Sequence, residues 1–261
     1  MHTDPLNPDL ITPGLKTARI GSQIVVFAST ASTNDIAWHY AAKKANDGLT
    51  VFAEEQSAGR GRTGNKWLSS TGQSILCSIV LMDEKLEPEM LTLTSAVAVA
   101  SAIGTCGKNH AKIKWPNDIL LNSKKVAGIL VESKISRGKK NYVLGIGINC
   151  HQSPENFDEH IRPVATSIDS ETGANIDRIS LCKRLLISLD EWLITAAAEK
   201  QTVIDKWLEL NTQLHSRVTL RHNNRTFTGV VLGIDPQKGL IVQVEGGGVR
   251  IFDADHTSNV R

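Results

Sequence analysis

Between Lys112 and Asn149 four strand-like runs follow one another with little between them. Lys112 to Trp115, Ile119 to Leu121, Val126 to Ser133 and Tyr142 to Asn149 are rich in branched residues, with tight links at Asn122-Ser123 and Arg137-Gly138. Links this short join antiparallel neighbours, because a parallel return needs a crossover of about a dozen residues or more. Further strand-like runs stand at Ile24 to Ala28 and Ser74 to Met82. Ser32, with Asp35 three residues on, has the pattern of a capping box opening a helix through Ile36, Ala37, Tyr40 and Ala41. The expected fold class is α+β: a mixed, mainly antiparallel sheet flanked by helices.

Pro88 introduces an alanine-rich helix reaching about Cys106. The uncharged stretch from Met90 to Gly107 approaches the length of a membrane span, but Thr92, Thr94, Ser95, Ser101 and Thr105 and its alanine-valine character make it a buried core helix. No membrane association is expected. Asp4, Asp9 and two early prolines replace the basic and apolar regions of a signal peptide. Ile179 to Ala198 sets Leu185, Leu186, Leu189, Trp192 and Leu193 on one helical face, and Val203 to Leu210 continues as another helix. After Asn211 the pattern changes. Arg217 to Leu220, Thr226 to Ile234, Leu240 to Val244 and Val249 to Phe252 are short strands divided by Asn223-Asn224, Asp235-Pro236-Gln237-Lys238-Gly239 and Gly246-Gly247-Gly248. This reads as a small β-barrel, residues 214–261, appended to a body of residues 1–213.

The net charge of +2 and an aromatic content of 5% weigh against a nucleic-acid-binding module, and no DNA partner is expected. Cys77, Cys106, Cys150 and Cys182 are widely spaced and read as buried free thiols, which fits a reducing cytoplasm; no metal site is assigned.

Three segments carry chemistry. Gly59-Arg60-Gly61-Arg62-Thr63-Gly64 follows an apolar run and precedes no helix, so it is neither a Walker loop nor the first turn of a dinucleotide fold. Its glycines free the backbone for positive φ and close approach to a ligand, and its arginines suit phosphate or carboxylate oxygens; a solvated Arg/Gly linker is the bland alternative. Lys114-Trp115-Pro116-Asn117-Asp118 ends a strand in a turn that holds Asn117 and Asp118, and a plain turn explains the pentapeptide equally well. Lys125 heads an apolar strand with Gly128 three residues on, a placement that directs the lysine at a pocket floor, with Lys124 on the opposite face.

Together with Ser32-Thr33-Asn34, Gln56, Lys66-Trp67, Gly145-Ile146-Gly147-Ile148-Asn149 and Ala165-Thr166-Ser167-Ile168, these segments make a chain that resembles biotin protein ligase (biotin–[acetyl-CoA-carboxylase] ligase) over nearly its whole length. The resemblance implies a biotin/lipoate ligase-like catalytic domain with a C-terminal SH3-like barrel. About thirty residues precede Ser32, too few for the winged-helix domain of relatives that double as repressors, so the monofunctional type is expected. It implies ATP and biotin as substrates with Mg²⁺, formation of biotinyl-5′-adenylate, and transfer of biotin to a lysine of a biotin carboxyl carrier protein. Homodimerisation through the central sheet occurs among relatives.

By the same resemblance Lys125, Arg62 and Asp118 are the catalytic candidates, with Asp118 either assisting the incoming lysine or fixing the turn. Ser32, Thr33, Asn34, Gln56, Arg60, Gly61, Arg62 and Lys125 are assigned to biotin. Arg62, Trp67, Asn117, Lys125 and Asn149 are assigned to the nucleotide. Thr63 and Asn65 stand where some relatives carry further basic residues, so the loop here is less basic. None of these motifs lies after Asn149 apart from the Ala165 to Ile168 segment, so the barrel need not form the primary pocket; it is expected to steady the carrier or support loop closure, with its loss harming transfer more than adenylate formation. A lipoate or octanoate transferase of the same fold is the alternative within the class.

Overall fold

Eight consecutive apolar or small residues, Ser74–Leu81, form a strand buried along its whole length (β3). A strand buried on both faces belongs at the centre of a sheet. In a computed structural model describing residues 5–82, 84–107, 110–136, 138–235 and 238–260, β3 pairs with β2 (Thr50–Ala53) on one side and β7 (Lys139–Asn149) on the other. Asp4, Arg137 and the Pro236-Gln237 pair, read above as N-terminal and turn residues, lie outside the described residues.

The sheet has seven strands in the order β1-β2-β3-β7-β6-β5-β4, adding β1 (Ile24–Phe27), β4 (Lys112–Lys114), β5 (Asp118–Leu121) and β6 (Lys124–Ser136). All neighbours are antiparallel except β1 and β2, which run parallel. After a short first helix α1 (Pro8–Ile11), α2 (Thr33–Tyr40) lies in the connection between β1 and β2, the crossover that a parallel pair requires. Asn122 and Ser123 link β5 to β6 with φ of 46° and 67°, and Asn223 and Asn224 link two C-terminal strands with φ of 48° and 62°. Positive φ at both central residues is what a type I′ hairpin turn requires.

Residues alternate between the two faces of a strand. One face of the sheet, carrying Ile75, Cys77, Ile79, Leu144, Ile146 and Ile148, belongs to the main core beneath α3 (Pro88–Gly104). The helix α3 is buried nearly all round because α5 (Arg178–Ala198) and α6 (Lys200–Leu210) pack on it from outside, joined to the sheet by α4 (Ile168–Thr172) and its loops. On the opposite face α2 covers Val51, Val80 and Val143. Beyond Val143 along β7 that face carries Gly145, Gly147 and Asn149. Having no side chains, the two glycines let Asn34 and Trp67 lie directly on the sheet backbone there, at the cavity described below.

One local expectation is corrected. Ser32 stands at the N-cap of α2 with extended backbone, but its side chain makes no cap hydrogen bond. The capping box fails because the Asp35 carboxylate is paired with the Arg60 guanidinium at 2.8 and 2.9 Å, and a bidentate charged partner outcompetes a backbone amide.

The C-terminal unit is a five-stranded antiparallel sheet, order β11-β10-β9-β8-β12, built from β8 (Arg217–His222), β9 (Arg225–Asp235), β10 (Gly239–Val244), β11 (Val249–Phe252) and β12 (Thr257–Asn259). The last of these was not foreseen from sequence: Thr-Ser-Asn carries no apolar alternation, and β12 exists through its pairing with β8. Among the described residues no helix is long and apolar enough to cross a membrane.

Candidate active site

At the N-terminus of α2 the chain places short polar side chains over the sheet. Thr33 donates through its amide and its hydroxyl to Gln56 Oε1, at 2.7 and 3.0 Å. The Ser78 hydroxyl lies 2.7 Å from Thr33 Oγ1 and 2.6 Å from Asn34 Oδ1 and donates its one proton to this pair. Asn34 is 4% exposed, and among the described residues its Nδ2 has no hydrogen-bond partner. Leaving such a group unpaired costs on the order of 1–3 kcal/mol, and Asn34 lines the cavity described below, which makes its Nδ2 a candidate donor to a ligand. Gly145 makes the close approach feasible: a Cβ there would stand 2.4 Å from Asn34 Oδ1.

The Arg/Gly segment is not a floppy linker. Trp67 N donates to Gly59 O at 3.0 Å, Gly61 N to Asn65 O at 2.7 Å and Asn65 N to Arg62 O at 3.1 Å, so the loop folds back as a small hairpin. Of its glycines only Gly64 takes positive φ, 79°, beside Thr63 at 52°. Gly59 serves by close approach instead, since a Cβ would fall 2.5 Å from the Trp67 carbonyl oxygen. Arg60 turns outward to Asp35 and Glu132 and holds the Asp35 carboxyl below the usual range. Arg62 turns the other way and donates to the Ala254 carbonyl of the C-terminal unit. Burial lowers its pKa, opposed by the nearby carboxylates of Asp255, Asp118 and Asp253.

Lys125 begins its strand just after the β5–β6 turn, and its ammonium reaches Asp118 Oδ1 at 2.5 Å. A register shift in the β5–β6 ladder adjoins it. Its backbone is taken up by another segment: Lys125 N donates to Val164 O at 2.7 Å, and Thr166 N to Lys125 O at 2.9 Å. Residues 164–166 thus form a strap under the lysine. Asn149 secures the strap, donating from Nδ2 to Thr166 O at 3.0 Å while its Oδ1 accepts from Gln152 at 3.3 Å. Asn117 braces its own turn, bonding Ile129 through Nδ2 at 2.7 Å. Both asparagines assigned to the nucleotide are therefore engaged within the protein.

Trp67 lies on the sheet itself. Gly128 of β6 and Gly147 of β7 are directly opposite in register, and a Cβ on them would stand 3.0 and 2.4 Å from the indole. The Lys125 ammonium is 5.6 Å from the ring centroid, and the buried indole N–H has no partner among the described residues.

These parts face one cavity of about 430 Å³, and every residue assigned by resemblance lines it. That volume suits a small-molecule ligand. Sequence reasoning did not single out Ser78, the Val164 backbone or Gln152. The C-terminal unit reaches the cavity as well, since Thr257, Ser258 and Asn259 also line it. Among the described residues no three His, Cys, Asp or Glu side chains gather as a metal site.

Residues 26–149 match the model of the biotin/lipoate A/B protein ligase family. The chain is 32% identical over 246 residues to the bifunctional ligase/repressor BirA of Bacillus subtilis, covering 93% of this chain and 76% of that protein. It is 30% identical over 265 residues to the biotin–[acetyl-CoA-carboxylase] ligase of Mycobacterium tuberculosis, with 97% of each covered. Its fold superimposes on the biotin protein ligase from Aquifex aeolicus in complex with biotin and ATP with a TM-score of 0.79, at 26% identity, covering 92% of this chain and 99% of that one.

Proposed function

The chain belongs to the biotin protein ligase family, and we propose from its geometry how the cavity activates biotin with ATP and passes it to a lysine of a carrier protein. The observation that carries the reading is one cavity in which an unpartnered buried amide, a lysine and a loop arginine face a glycine floor. Biotin's ureido ring is assigned to the end formed by Ser32, Thr33, Asn34 and Gln56, where Asn34 Nδ2 is the free donor. Gly61 and Arg60 border that end. Arg60 acts there through Asp35, which holds the loop against α2.

In the first half-reaction biotin's carboxylate attacks the α-phosphate, giving biotinyl-5′-adenylate and pyrophosphate. Two like charges about 4 Å apart repel by roughly 4 kcal/mol at an effective dielectric near 20. The Lys125 ammonium, placed by Asp118 and the strap, offsets that repulsion and the charge that develops at the phosphate. Arg62 is assigned to the phosphate and to retention of the adenylate, Trp67 to the base or its sugar, and Asn117 and Asn149 to bracing the walls against which the nucleotide lies. Mg²⁺ is assigned as the counter-ion arriving with the phosphates, with Asp118 the carboxylate at hand.

In the second half-reaction the carrier's lysine amine attacks the acyl carbon, the C–O bond to AMP breaks, and the amine loses a proton. Asp118 is assigned to attract the incoming ammonium and to assist that loss. The partner is the carrier domain of a biotin-dependent carboxylase such as acetyl-CoA carboxylase, met in the cytoplasm. Residues 1–213 and 214–261 are the proposed functional units. ATP–pyrophosphate exchange dependent on biotin, followed by transfer of labelled biotin to a purified carrier domain, tests the reading. Exchange supported by lipoate or octanoate and not by biotin would assign the chain to the other branch of the family.

A further inference from the structure

Trp115 directly follows β4, the edge strand of the sheet, and is only 3% exposed. An edge strand has no ladder partner on one side, and buried backbone groups there must be paired from elsewhere. Here the partners are side chains from the linker and last strand of the C-terminal unit. Trp115 N donates to Gln213 Oε1 at 2.7 Å, Gln213 Nε2 donates to Asn259 Oδ1 at 2.8 Å, and Asn259 Nδ2 donates to Trp115 O at 2.7 Å. The three residues close a ring of hydrogen bonds around one backbone position. The linker reinforces it, since Thr212 N donates to Ile113 O at 2.9 Å.

From Trp115 the chain runs through Pro116 and Asn117 to Asp118. Asn117 is fastened to β6 through both its carbonyl, which accepts from Ile129 N at 3.1 Å, and its side chain. The turn is thus held at one end by its own sheet and at the other by Gln213 and Asn259, and Asp118 directly after it meets Lys125. We infer that Gln213 and Asn259 are positioning residues of the active centre: gripping Trp115 at its amide and its carbonyl, they set the turn that presents Asp118 to Lys125. This rests on the reading of the cavity given above. Each amide both donates and accepts, a role that neither a carboxylate nor an aliphatic side chain fills.

The test uses the full chain with Gln213→Leu, Gln213→Glu and Asn259→Ala, and with Arg217→Ala, which breaks an exposed ion pair to Glu245 on the same unit. Thermal melting establishes which variants are folded. In biotin-dependent ATP–pyrophosphate exchange, kcat is expected to fall by about tenfold in the ring variants, with KM for biotin changed less than about twofold, because the Ser32 to Asn34 end is untouched. Gln213→Glu, which keeps the acceptor for Trp115 N, is expected to lose less, and Arg217→Ala to match the wild type. Amide hydrogen exchange at Trp115 and Asp118 is expected to quicken in the ring variants alone. Folded ring variants with wild-type kcat would overturn the inference. A wild type without biotin-dependent exchange would instead refute the functional reading; amide exchange then decides the positioning role separately, and unchanged protection at Trp115 and Asp118 would overturn it.

Discussion

The carboxylate of Asp118 stands 2.5 Å from the ammonium of Lys125, although Asp118 opens β5 opposite Gly128 and Lys125 lies nearer the turn, opposite Leu120. The lysine is held from two directions, by this ion pair and by the backbone strap of residues 164–166. Lys125→Gln should keep the fold, since the strap bonds only its backbone. It should lower the rate of adenylate formation by at least about a hundredfold, on the order of 2.7 kcal/mol in the barrier. Pyrophosphate exchange by the folded variant at the wild-type rate would remove Lys125 from the reaction.

Arg62→Gly should weaken retention more than synthesis. The side chain lines the cavity and spans from the loop to the Ala254 carbonyl, so its loss should loosen that wall and open a route by which an adenylate escapes. Escaped adenylate acylates lysines of bystander proteins. Incubating the variant with serum albumin and the carrier together, then blotting for biotin, checks this, and label confined to the carrier contradicts it.

Gly147→Ala tests the glycine floor. The added methyl would lie 2.4 Å from Trp67 Cε2, too close to accommodate without moving the indole. Overpacking of this kind costs about 1–3 kcal/mol. A shifted Trp67 fluorescence maximum and a KM for ATP raised by about tenfold are expected, on the assignment of the ring to the nucleotide. Unchanged fluorescence with unchanged KM would show that the ring does not depend on that floor.

The Arg60–Asp35 pair carries a pH signature. Arg60 lowers the pKa of Asp35 in the folded state, so its contribution to stability is present above the unfolded value, about 3.9, and is lost as pH falls through the folded value. Wild type and Arg60→Gln should differ in stability by a constant, modest amount from about pH 5 to 8 and converge below about pH 4. Carboxyl NMR titration should show Asp35 returning to the usual range in the variant. The same titration point in both proteins would show the pair to be a static contact only.

The strands and hairpins from residue 112 to 149 were readable because branched residues and two-residue links leave little choice of topology. The cavity residues were readable as motifs, but their relationships were not. Gly128 and Gly147 become one floor only through sheet register. Asp35 was misread as a cap because its partner Arg60 lies 25 positions away along the chain. The roles of Gln213 and Asn259 were invisible for the same reason: an ordinary glutamine and asparagine acquire meaning from the buried peptide they meet.

The bare Gly128–Gly147 pair has a consequence for how this sheet tolerates change. Glycine in a strand interior weakens it by roughly 0.5–1 kcal/mol relative to alanine, and two sit side by side in neighbouring strands. Filling either position would regain that amount but drive a methyl into Trp67, and overpacking of about 1–3 kcal/mol outweighs the gain. Random mutation scored only for heat resistance should therefore leave both glycines in place as long as Trp67 stays, so selection for robustness and selection for turnover would guard the same patch of backbone.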